Sequence, residues 1–233
     1  MPGYRTKQEQ IPIAGVDDLV IRSLLDRQQF DDGDGAAERL GISSAAWPLF
    51  GLLWPSGALL AARLGARPVT AGERILEIGC GLALASLVGH RRGADVTASD
   101  RHPLAAAFLA ANLRLNGLAP LKYLHADWDD AALADDAAPG SAPAGAFDLI
   151  VGSDLLYERD ASGALAGFVC RHAKPSCEVW IVDPDRSNRP AFNRLMAAEG
   201  FARHEERLDD AATTAGAAYK GRLLVYRRKL VAH

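Results

Sequence analysis

Cysteine is scarce in this chain of 233 residues, which contains only Cys80, Cys170 and Cys177 and no CxxC pair. The six histidines are not spaced relative to these cysteines as zinc ligands would be, which argues against a structural zinc site. A small, odd number of cysteines is typical of a reducing compartment rather than of a disulfide-stabilised secreted protein. We therefore expect neither a metal site nor disulfides to hold the fold.

The sequence also lacks long apolar runs and an excess of positive charge. No apolar run reaches the roughly 18 residues that a membrane span needs, and residues 1–10 lack the apolar centre of a signal peptide. The net charge is −3, without the basic stripe that is typical of nucleic-acid-binding proteins. These absences predict a cytoplasmic protein with no membrane partner and no nucleic-acid partner.

Several standard binding signatures are incomplete. A dinucleotide fingerprint starting at Gly79 would need a third glycine at position 84, where the chain has Leu84, and no Lys-Ser or Lys-Thr follows as in a phosphate-binding loop. The stretch DDGDG at 31–35 lacks the remaining ligand spacing and the closing glutamate of an EF-hand. These gaps argue against a nicotinamide-dependent oxidoreductase, a P-loop protein and an EF-hand calcium site.

From residue 73 onwards, short apolar runs alternate with segments of helical spacing. The predicted strands cover residues 74–78, 95–99, 121–125, 147–152 and 178–182, and the predicted helices cover 57–64, 82–92, 103–116, 162–172 and 190–199. Strands separated by helices imply a parallel sheet, and the last two apolar runs, 201–208 and 222–229, predict an antiparallel pair. The fold class is therefore α/β: a Rossmann-like doubly wound sheet, mostly parallel with an antiparallel C-terminal hairpin strand.

In such a sheet, ligands bind at the carboxyl ends of the strands, so the loops after the strands form the candidate site. The first loop is EIGCG at 77–81, whose glycines let the backbone approach a ligand and whose following helix offers free N–H groups. Asp100 ends the second strand, and its carboxylate can accept hydrogen bonds from both hydroxyls of a ribose. The alternatives are a plain strand-to-helix turn and an acid at a helix N-terminus.

The next two loops contribute an aromatic ring and further acids. Asp127 can accept a hydrogen bond from an adenine amino group, and Trp128 can stack on the purine face. After the fourth strand, the segment SDLLYE at 153–158 would place an acid and an aromatic ring beside the reacting end of the ligand. The alternative is a helix cap at Ser153 or Asp154, with the two leucines in the core.

These residues together resemble a known family. EIGCG resembles motif I of the class I, seven-strand methyltransferases that use S-adenosylmethionine, and Asp100, Asp127-Trp128 and residues 147–157 follow in that family's order. The segment 147–157, with Trp54-Pro55 ahead of motif I, is most similar to methyltransferase family 16. Many members of that family methylate lysine in proteins. The resemblance covers residues 45–229 and implies methyl transfer to an acceptor nitrogen, with S-adenosylhomocysteine as the product.

The resemblance also implies site residues. The cofactor-binding residues would be Trp54, Glu77, Gly79, Gly81, Asp100, Asp127, Trp128 and Ser153. Asp154 and Tyr157 match the family's acid-x-x-aromatic motif and would be the catalytic residues, with Asp154 orienting the target amine. The loop DPDR at 183–186 resembles that of lysine methyltransferases acting on the electron-transfer flavoprotein β-subunit.

The first 45 residues match nothing in the family, so the methyl acceptor remains open. We expect residues 1–45 to form an N-terminal extension that shapes the substrate entrance of a methyltransferase domain at 46–233. One alternative is methylation of a small molecule, which would need a closed pocket roofed by that extension. The other is a nicotinamide-dependent oxidoreductase or an inactive module that binds S-adenosylmethionine. The absence of an Asn-Pro-Pro-Tyr type segment and of a Pro-Cys pair disfavours base-modifying and glutamine-modifying enzymes.

Overall fold

The computed structural model describes residues 3–128, 147–157, 163–209 and 219–228. The strands are β1 (Thr6–Ile11), β2 (Leu19–Leu24), β3 (Arg74–Ile78), β4 (Asp95–Asp100), β5 (Lys122–His125), β6 (Phe147–Ser153), β7 (Ala173–Asp183), β8 (Phe201–Arg207) and β9 (Arg222–Arg228). The helices are α1 (Ala36–Arg39), α2 (Pro55–Ala66), α3 (Leu84–Arg91), α4 (Ala105–Leu115), α5 (Ala164–His172) and α6 (Arg189–Ala198), with a 3₁₀ helix at Trp47–Gly51. Residues 129–146, between β5 and β6, lie outside the described residues.

The main sheet has seven strands in the order β5-β4-β3-β6-β7-β9-β8. Strands β3 to β7 are parallel to one another, whereas β9 is antiparallel to both β7 and β8. The predicted fold class is therefore confirmed, including the antiparallel C-terminal pair. The strand order reverses between β3 and β6, and this reversal opens the crevice in which doubly wound sheets bind ligands.

Strand β7 begins earlier than the sequence predicted, at Ala173 instead of residue 178. The reason is an irregularity in the pairing with β6, where the partner of Phe147 is Ala173 and the partner of Leu149 is already Glu178. The extra residues bulge out of the ladder, and they include Pro175, which has no N–H to donate. Alternating hydrophobicity cannot reveal such a bulge.

Both faces of the sheet are covered by apolar cores. Successive residues of a strand point to opposite sides of the sheet, so one strand contributes side chains to both cores. Ile75 belongs to a core that includes Leu60 of α2 and Val88 of α3, while the adjacent Leu76 belongs to a second core with Phe168 of α5. This explains why the central strands β3 and β6 are largely continuous apolar runs rather than alternating ones. Among the described residues, none of the helices has both the length and the apolar character that a bilayer crossing requires.

The N-terminal residues form a hairpin that shares a core with the rest of the protein. β1 runs antiparallel to β2, with Thr6 opposite Leu24 and Ile11 opposite Leu19. The inward side chains of β2 join the same core as Trp47 and Phe108. The stretch at 31–35 caps α1, since the carboxylate of Asp32 accepts the backbone N–H groups of the first turn.

Candidate active site

A cavity of about 1030 Å³ opens at the carboxyl ends of β3, β4 and β6, where the strand order reverses. All ten site residues predicted from the sequence line it: Trp54, Glu77, Gly79, Gly81, Asp100, Asp127, Trp128, Ser153, Asp154 and Tyr157. Ligand pockets typically occupy roughly 300–1,000 Å³. The cavity is therefore large enough for a nucleoside-sized ligand together with a substrate side chain.

The turn after β3 requires glycine at two positions. Gly79 and Gly81 have φ angles of +55° and +51°, which L side chains rarely adopt. A Cβ at Gly79 would lie 2.5 Å from a methyl group of Leu155, and a Cβ at Gly81 would lie 2.7 Å from the carbonyl oxygen of Phe50. The turn therefore packs its backbone directly against neighbouring chain, which explains the spacing of the two glycines.

Glu77 is 3% exposed and lies beneath this turn. Its carboxylate accepts the backbone N–H of Ser86 at 2.7 Å and also the hydroxyl of Ser86. Burial raises the pKa of Glu77 to about 7, although both hydrogen bonds from Ser86 lower it. Glu77 thus ties the end of β3 to the first turn of α3.

Asp100 joins the second strand to the glycine turn. Its Oδ2 accepts the backbone N–H of Gly81 at 2.8 Å, and its Oδ1 accepts the backbone N–H of His102 at 2.8 Å. Burial raises the pKa of Asp100, and these two backbone hydrogen bonds oppose that shift. An ionised carboxylate has about four acceptor positions, so each oxygen keeps capacity for a hydroxyl hydrogen of a ligand in the cavity.

Trp128 lies against the glycine turn from the other side. A carbon of its indole ring is 3.6 Å from the place that a Cβ at Gly79 would occupy. Its backbone carbonyl accepts a hydrogen bond from Arg171 at 3.0 Å, which fixes the chain after β5. The neighbouring Asp127 is 3.7 Å from the guanidinium of Arg101. An aromatic ring therefore lies beside the turn, and the residue before it carries a carboxylate.

At the end of β6, the backbone turns sharply at Asp154, which has a φ of +56°. Its N–H donates to the carbonyl of Val182 at 3.0 Å, and its Oδ1 accepts a hydrogen bond from Nη2 of Arg186 at 2.9 Å. The next described helix, α5, begins only at Ala164 with Gly163 as its N-cap. The helix-cap alternative for Ser153 and Asp154 therefore does not apply to that helix.

Comparison with known proteins decides the family. The sequence profile described as lysine methyltransferase matches residues 50–194, which is more than half of the chain. The chain belongs to this lysine methyltransferase family. The match begins at the 3₁₀ helix and ends in α6, so it contains every residue of the predicted site.

Individual relatives are similar over part of their length. The electron transfer flavoprotein beta subunit lysine methyltransferase of Danio rerio is 32% identical over 144 residues, 60% of this chain and 51% of that protein. Protein N-lysine methyltransferase METTL21A of Danio rerio is 29% identical over 133 residues, 55% of this chain and 54% of that protein. The chain thus spans about half the length of the curated relatives it matches.

Among solved structures, a 16S rRNA methyltransferase of T. thermophilus, in complex with AdoMet and guanosine, superposes with a TM-score of 0.60. The superposition covers 98% of this chain and 52% of the other chain, and the two sequences are 20% identical. At this identity the likeness establishes the fold and not the activity. The lysine methyltransferase family and the Rossmann-like methyltransferase fold are consistent with each other.

In this family member, the rim of the cavity includes residues that sequence reasoning did not select. Arg27 comes from the N-terminal segment, and its guanidinium lies 5.8 Å from the ring centre of Trp54. Trp54 in turn donates its indole N–H to the carbonyl of Leu49 at 2.9 Å. Tyr157 is 40% exposed at the rim. No local pattern marks Arg27, because it reaches the site only through the packing of the N-terminal hairpin.

His102 was also missed. Its ring stacks on Phe50 with centroids 3.6 Å apart, and both residues line the cavity. The residue is buried, and burial lowers its pKa to about 3, so the ring is neutral at physiological pH. The signal that could have found it is its place two residues after Asp100, in the loop after the second strand.

The cavity wall is electrically mixed. Its positively charged residues are Arg27, Arg101, Arg186 and Arg194, and its acidic residues are Glu77, Asp100, Asp127 and Asp154. Two of the acids, Asp127 and Asp154, are held in ion pairs by Arg101 and Arg186. The cavity as a whole therefore favours neither cations nor anions. The local ion pairs determine which charge is attracted at each part of the wall.

Proposed function

We propose that this protein transfers a methyl group from S-adenosylmethionine to the side-chain nitrogen of a lysine in a protein substrate. Family membership supports the reaction, and the observation that carries the proposal is the convergence of the Gly79–Gly81 turn, Asp100 and Asp154 on one cavity. The ten predicted residues keep the roles given above as part of this proposal. The relatives named as lysine methyltransferases support a protein as the acceptor.

The residues present fit the cofactor. Gly79 and Gly81 place no side chain of their own at the turn, Asp100 offers carboxylate oxygens for the ribose, and Trp128 offers a ring for the adenine. Trp54 and Ser153 would lie at the methionine end, and Glu77 would act by supporting the turn. S-adenosylmethionine, when bound, supplies a methyl group on a positively charged sulfur.

At the substrate end, the protein's main contribution is alignment of the amine with that methyl group. Asp154 would accept an N–H hydrogen bond from the target amine, and Tyr157 would line the channel through which the lysine enters. A lysine amine has a pKa of about 10.4 in water, so it has to lose a proton before it can attack. The site therefore has to hold an uncharged amine rather than attract an ammonium ion.

Binding of the cofactor is tested by thermal unfolding with S-adenosylmethionine, S-adenosylhomocysteine or NAD. We expect both sulfur nucleosides to raise the melting temperature, because a ligand that binds only the folded state stabilises it. Stabilisation by NAD alone would contradict the proposal and favour an oxidoreductase. Asp154→Ala should retain the shift with S-adenosylmethionine while methyl transfer is lost.

The acceptor is tested with S-adenosylmethionine labelled in its methyl group. The first candidate is purified electron transfer flavoprotein beta subunit, chosen because the Danio rerio relative is named for it. A cell lysate is the broader substrate source, with mass spectrometry of whatever carries label. We expect label on lysine, and label confined to a low-molecular-weight compound would contradict the proposed protein substrate.

One observation favours a second candidate, methylation of a small molecule. Arg27 and Ile42 of the N-terminal segment reach the cavity wall, as a roof over a small substrate would require. The same labelling experiment separates the two, because a filtered, protein-free extract would then become labelled as strongly as the whole lysate.

A further inference from the structure

The carboxylate of Asp154 already has a partner on the protein. Nη2 of Arg186 donates to Oδ1 of Asp154 at 2.9 Å, and both residues line the cavity. The Asp154 side chain is 13% exposed and that of Arg186 is 35% exposed. A partly buried pair of this kind is screened by salt less than a surface ion pair. The charge that Asp154 presents to a ligand is therefore largely cancelled.

The position of Arg186 is set by the fold and does not require a ligand. Asp183, at the end of β7, is fully buried, and its Oδ2 accepts the backbone N–H of Arg186 at 2.9 Å. The following turn passes through Asp185 at a φ of +58°, and Arg222 of β9 donates to the Asp185 carboxylate at 2.7 Å. Hydrogen bonds at Asp183 and Asp185 thus hold the loop in place, and the Arg186 side chain extends from it toward Asp154.

Resting on the proposed function, we propose that Arg186 is a positioning residue that cancels the charge of Asp154, so that the target lysine is bound as an uncharged amine. An unpaired carboxylate would stabilise the ammonium form, which has no lone pair for attack. A carboxylate paired with a guanidinium still has an oxygen lone pair for one amine N–H. Arg186 thereby converts Asp154 from a cation-binding group into an orienting one.

The reaction then balances without a dedicated base. The lysine ammonium releases its proton to water, and the amine nitrogen forms the new N–C bond as the S–C bond breaks. The electron pair of that bond stays on sulfur, and the product is the methylated ammonium ion, so one proton in total is released to water. Asp154 accepts a hydrogen bond throughout and takes up no proton.

Other charged groups act on the same space. Asp183 is close enough to Asp154 for the two charges to interact. Tyr219 lies in the segment before β9, and its hydroxyl is hydrogen-bonded to Ser56 at 2.8 Å. Burial raises the pKa of Asp183 to about 6 and that of Tyr219 well above its usual range. The cavity is also lined by Tyr157, Arg27, Arg194, Glu77, Asp100, Asp127 and Arg101. All of these remain unchanged in the variants below, so differences between variants report the Arg186–Asp154 pair.

The main experiment measures the pH dependence of lysine methylation for the wild type, Arg186→Met, Asp154→Asn and the double variant. The substrate is the lysine-containing protein labelled in the experiment above. We expect the midpoint of the pH–rate profile to move up by about one unit in Arg186→Met, because the exposed carboxylate holds the ammonium form. The midpoint should move down in Asp154→Asn and return to the wild-type value in the double variant, although all three rates fall.

A second measurement does not depend on turnover. Calorimetric titration of n-butylammonium at neutral pH into protein saturated with S-adenosylhomocysteine reports the preference for a cation directly. We expect Arg186→Met to bind this probe about tenfold more tightly than the wild type, corresponding to the one-unit shift. Adding Asp154→Asn should abolish the gain.

Rescue separates this role from a structural one. Arg186→Lys keeps the positive charge and should keep the wild-type midpoint of the pH–rate profile. Arg186→Gln is a second neutral variant, which replaces Arg186→Met if that variant fails to fold. Identical midpoints and identical butylammonium affinities in the wild type and both neutral variants would overturn the inference. By contrast, a wild type that binds S-adenosylmethionine but labels no lysine would overturn the proposed function itself.

Discussion

The carboxylate of Asp100 accepts the backbone N–H of Gly81 at 2.8 Å, which joins the end of β4 to the turn after β3. The second oxygen holds the N–H of His102, so one side chain fixes two loops of the candidate site. Removal of this carboxylate would therefore release both loops and also delete the proposed partner of the ribose.

We expect Asp100→Ala to weaken binding of S-adenosylmethionine by about tenfold or more. Hydrogen bonds to a charged group contribute roughly 1.5–3 kcal/mol, and the variant also leaves two backbone N–H groups without an acceptor. Titration calorimetry gives the affinity. The matched control is Asp95→Ala at the start of the same strand, where the carboxylate pairs with exposed Lys122. Equal affinities in the two variants would reject the ribose role of Asp100.

Glu77 should make the stability of the unliganded protein depend on pH. Its pKa is raised from 4.5 to about 7 in the folded state, so the folded protein binds more protons than the unfolded chain between these values. Stability is therefore fully present below pH 4.5 and is lost as the pH rises to 7, by an upper limit of about 3 kcal/mol.

The check is denaturant unfolding of the wild type and Glu77→Gln at several pH values from 5 to 8. The substituted amide does not titrate and can still accept from Ser86, so the variant should gain stability relative to the wild type as the pH rises. Asp183, which also titrates in this range, is common to both proteins. A constant difference across the range would show that Glu77 has an ordinary pKa.

Gly81→Ala should destabilise the protein more than Gly117→Ala. Both glycines have a left-handed backbone, with φ of +51° and +64°, so both variants incur the conformational cost of about 1 kcal/mol. Only the Cβ at Gly81 meets a backbone atom, the carbonyl oxygen of Phe50 at 2.7 Å, whereas that at Gly117 meets open space. We expect a total loss of about 3 kcal/mol for Gly81→Ala, allowing for overpacking. Equal losses on denaturant unfolding would mean that the backbone approach at Gly81 is not tight.

The N-terminal hairpin should depend on a side-chain amide of α4. Asn112 is fully buried, and its Oδ1 accepts the backbone N–H of Arg22 at 2.7 Å. Asn116, one turn later, makes the equivalent bond to Val20 at 2.9 Å but is more exposed. The two amides thus satisfy the outer edge of β2 as a neighbouring strand would.

We expect Asn112→Ala to lower the free energy of unfolding by about 2 kcal/mol, because it leaves a shielded backbone group unpaired. Asn116→Ala is the control and should lower it by about 1 kcal/mol or less. Hydrogen exchange at the Arg22 amide should accelerate in the first variant more than in the second. An unchanged exchange rate at Arg22 would show that the edge bond is not protective.

Much of the fold followed from local pattern. The apolar runs of β3 and β6 are buried on both faces, and such a composition is typical of central parallel strands. The site residues were equally accessible, because a parallel sheet brings its loops to one edge whatever the details of packing. Glu77, Gly79, Asp100 and Asp154 could therefore be assigned to one cavity from their positions after strands.

Contacts between distant parts of the chain could not be read in this way. The bulge that starts β7, the insertion of β9 beside it and the Asn112 bond to β2 each depend on where two separate segments meet. Arg27 reaches the cavity from a segment with no strand-end signal. Arg186 lies in the loop after β7 that the sequence marked, but its contact with Asp154 could not be read from that position. Glu158, the last residue of the segment that the sequence placed after the fourth strand, lies outside the described residues.

By itself, the sequence determined the α/β architecture, the glycine turn and the acids at the strand ends, since each follows from local periodicity or from a backbone conformation only glycine takes readily. Tertiary structure alone decided which charge lies beside which. The pairing of Asp154 with Arg186 arises from segments 32 residues apart, and Coulomb attraction depends on their distance in space and on how far water is excluded.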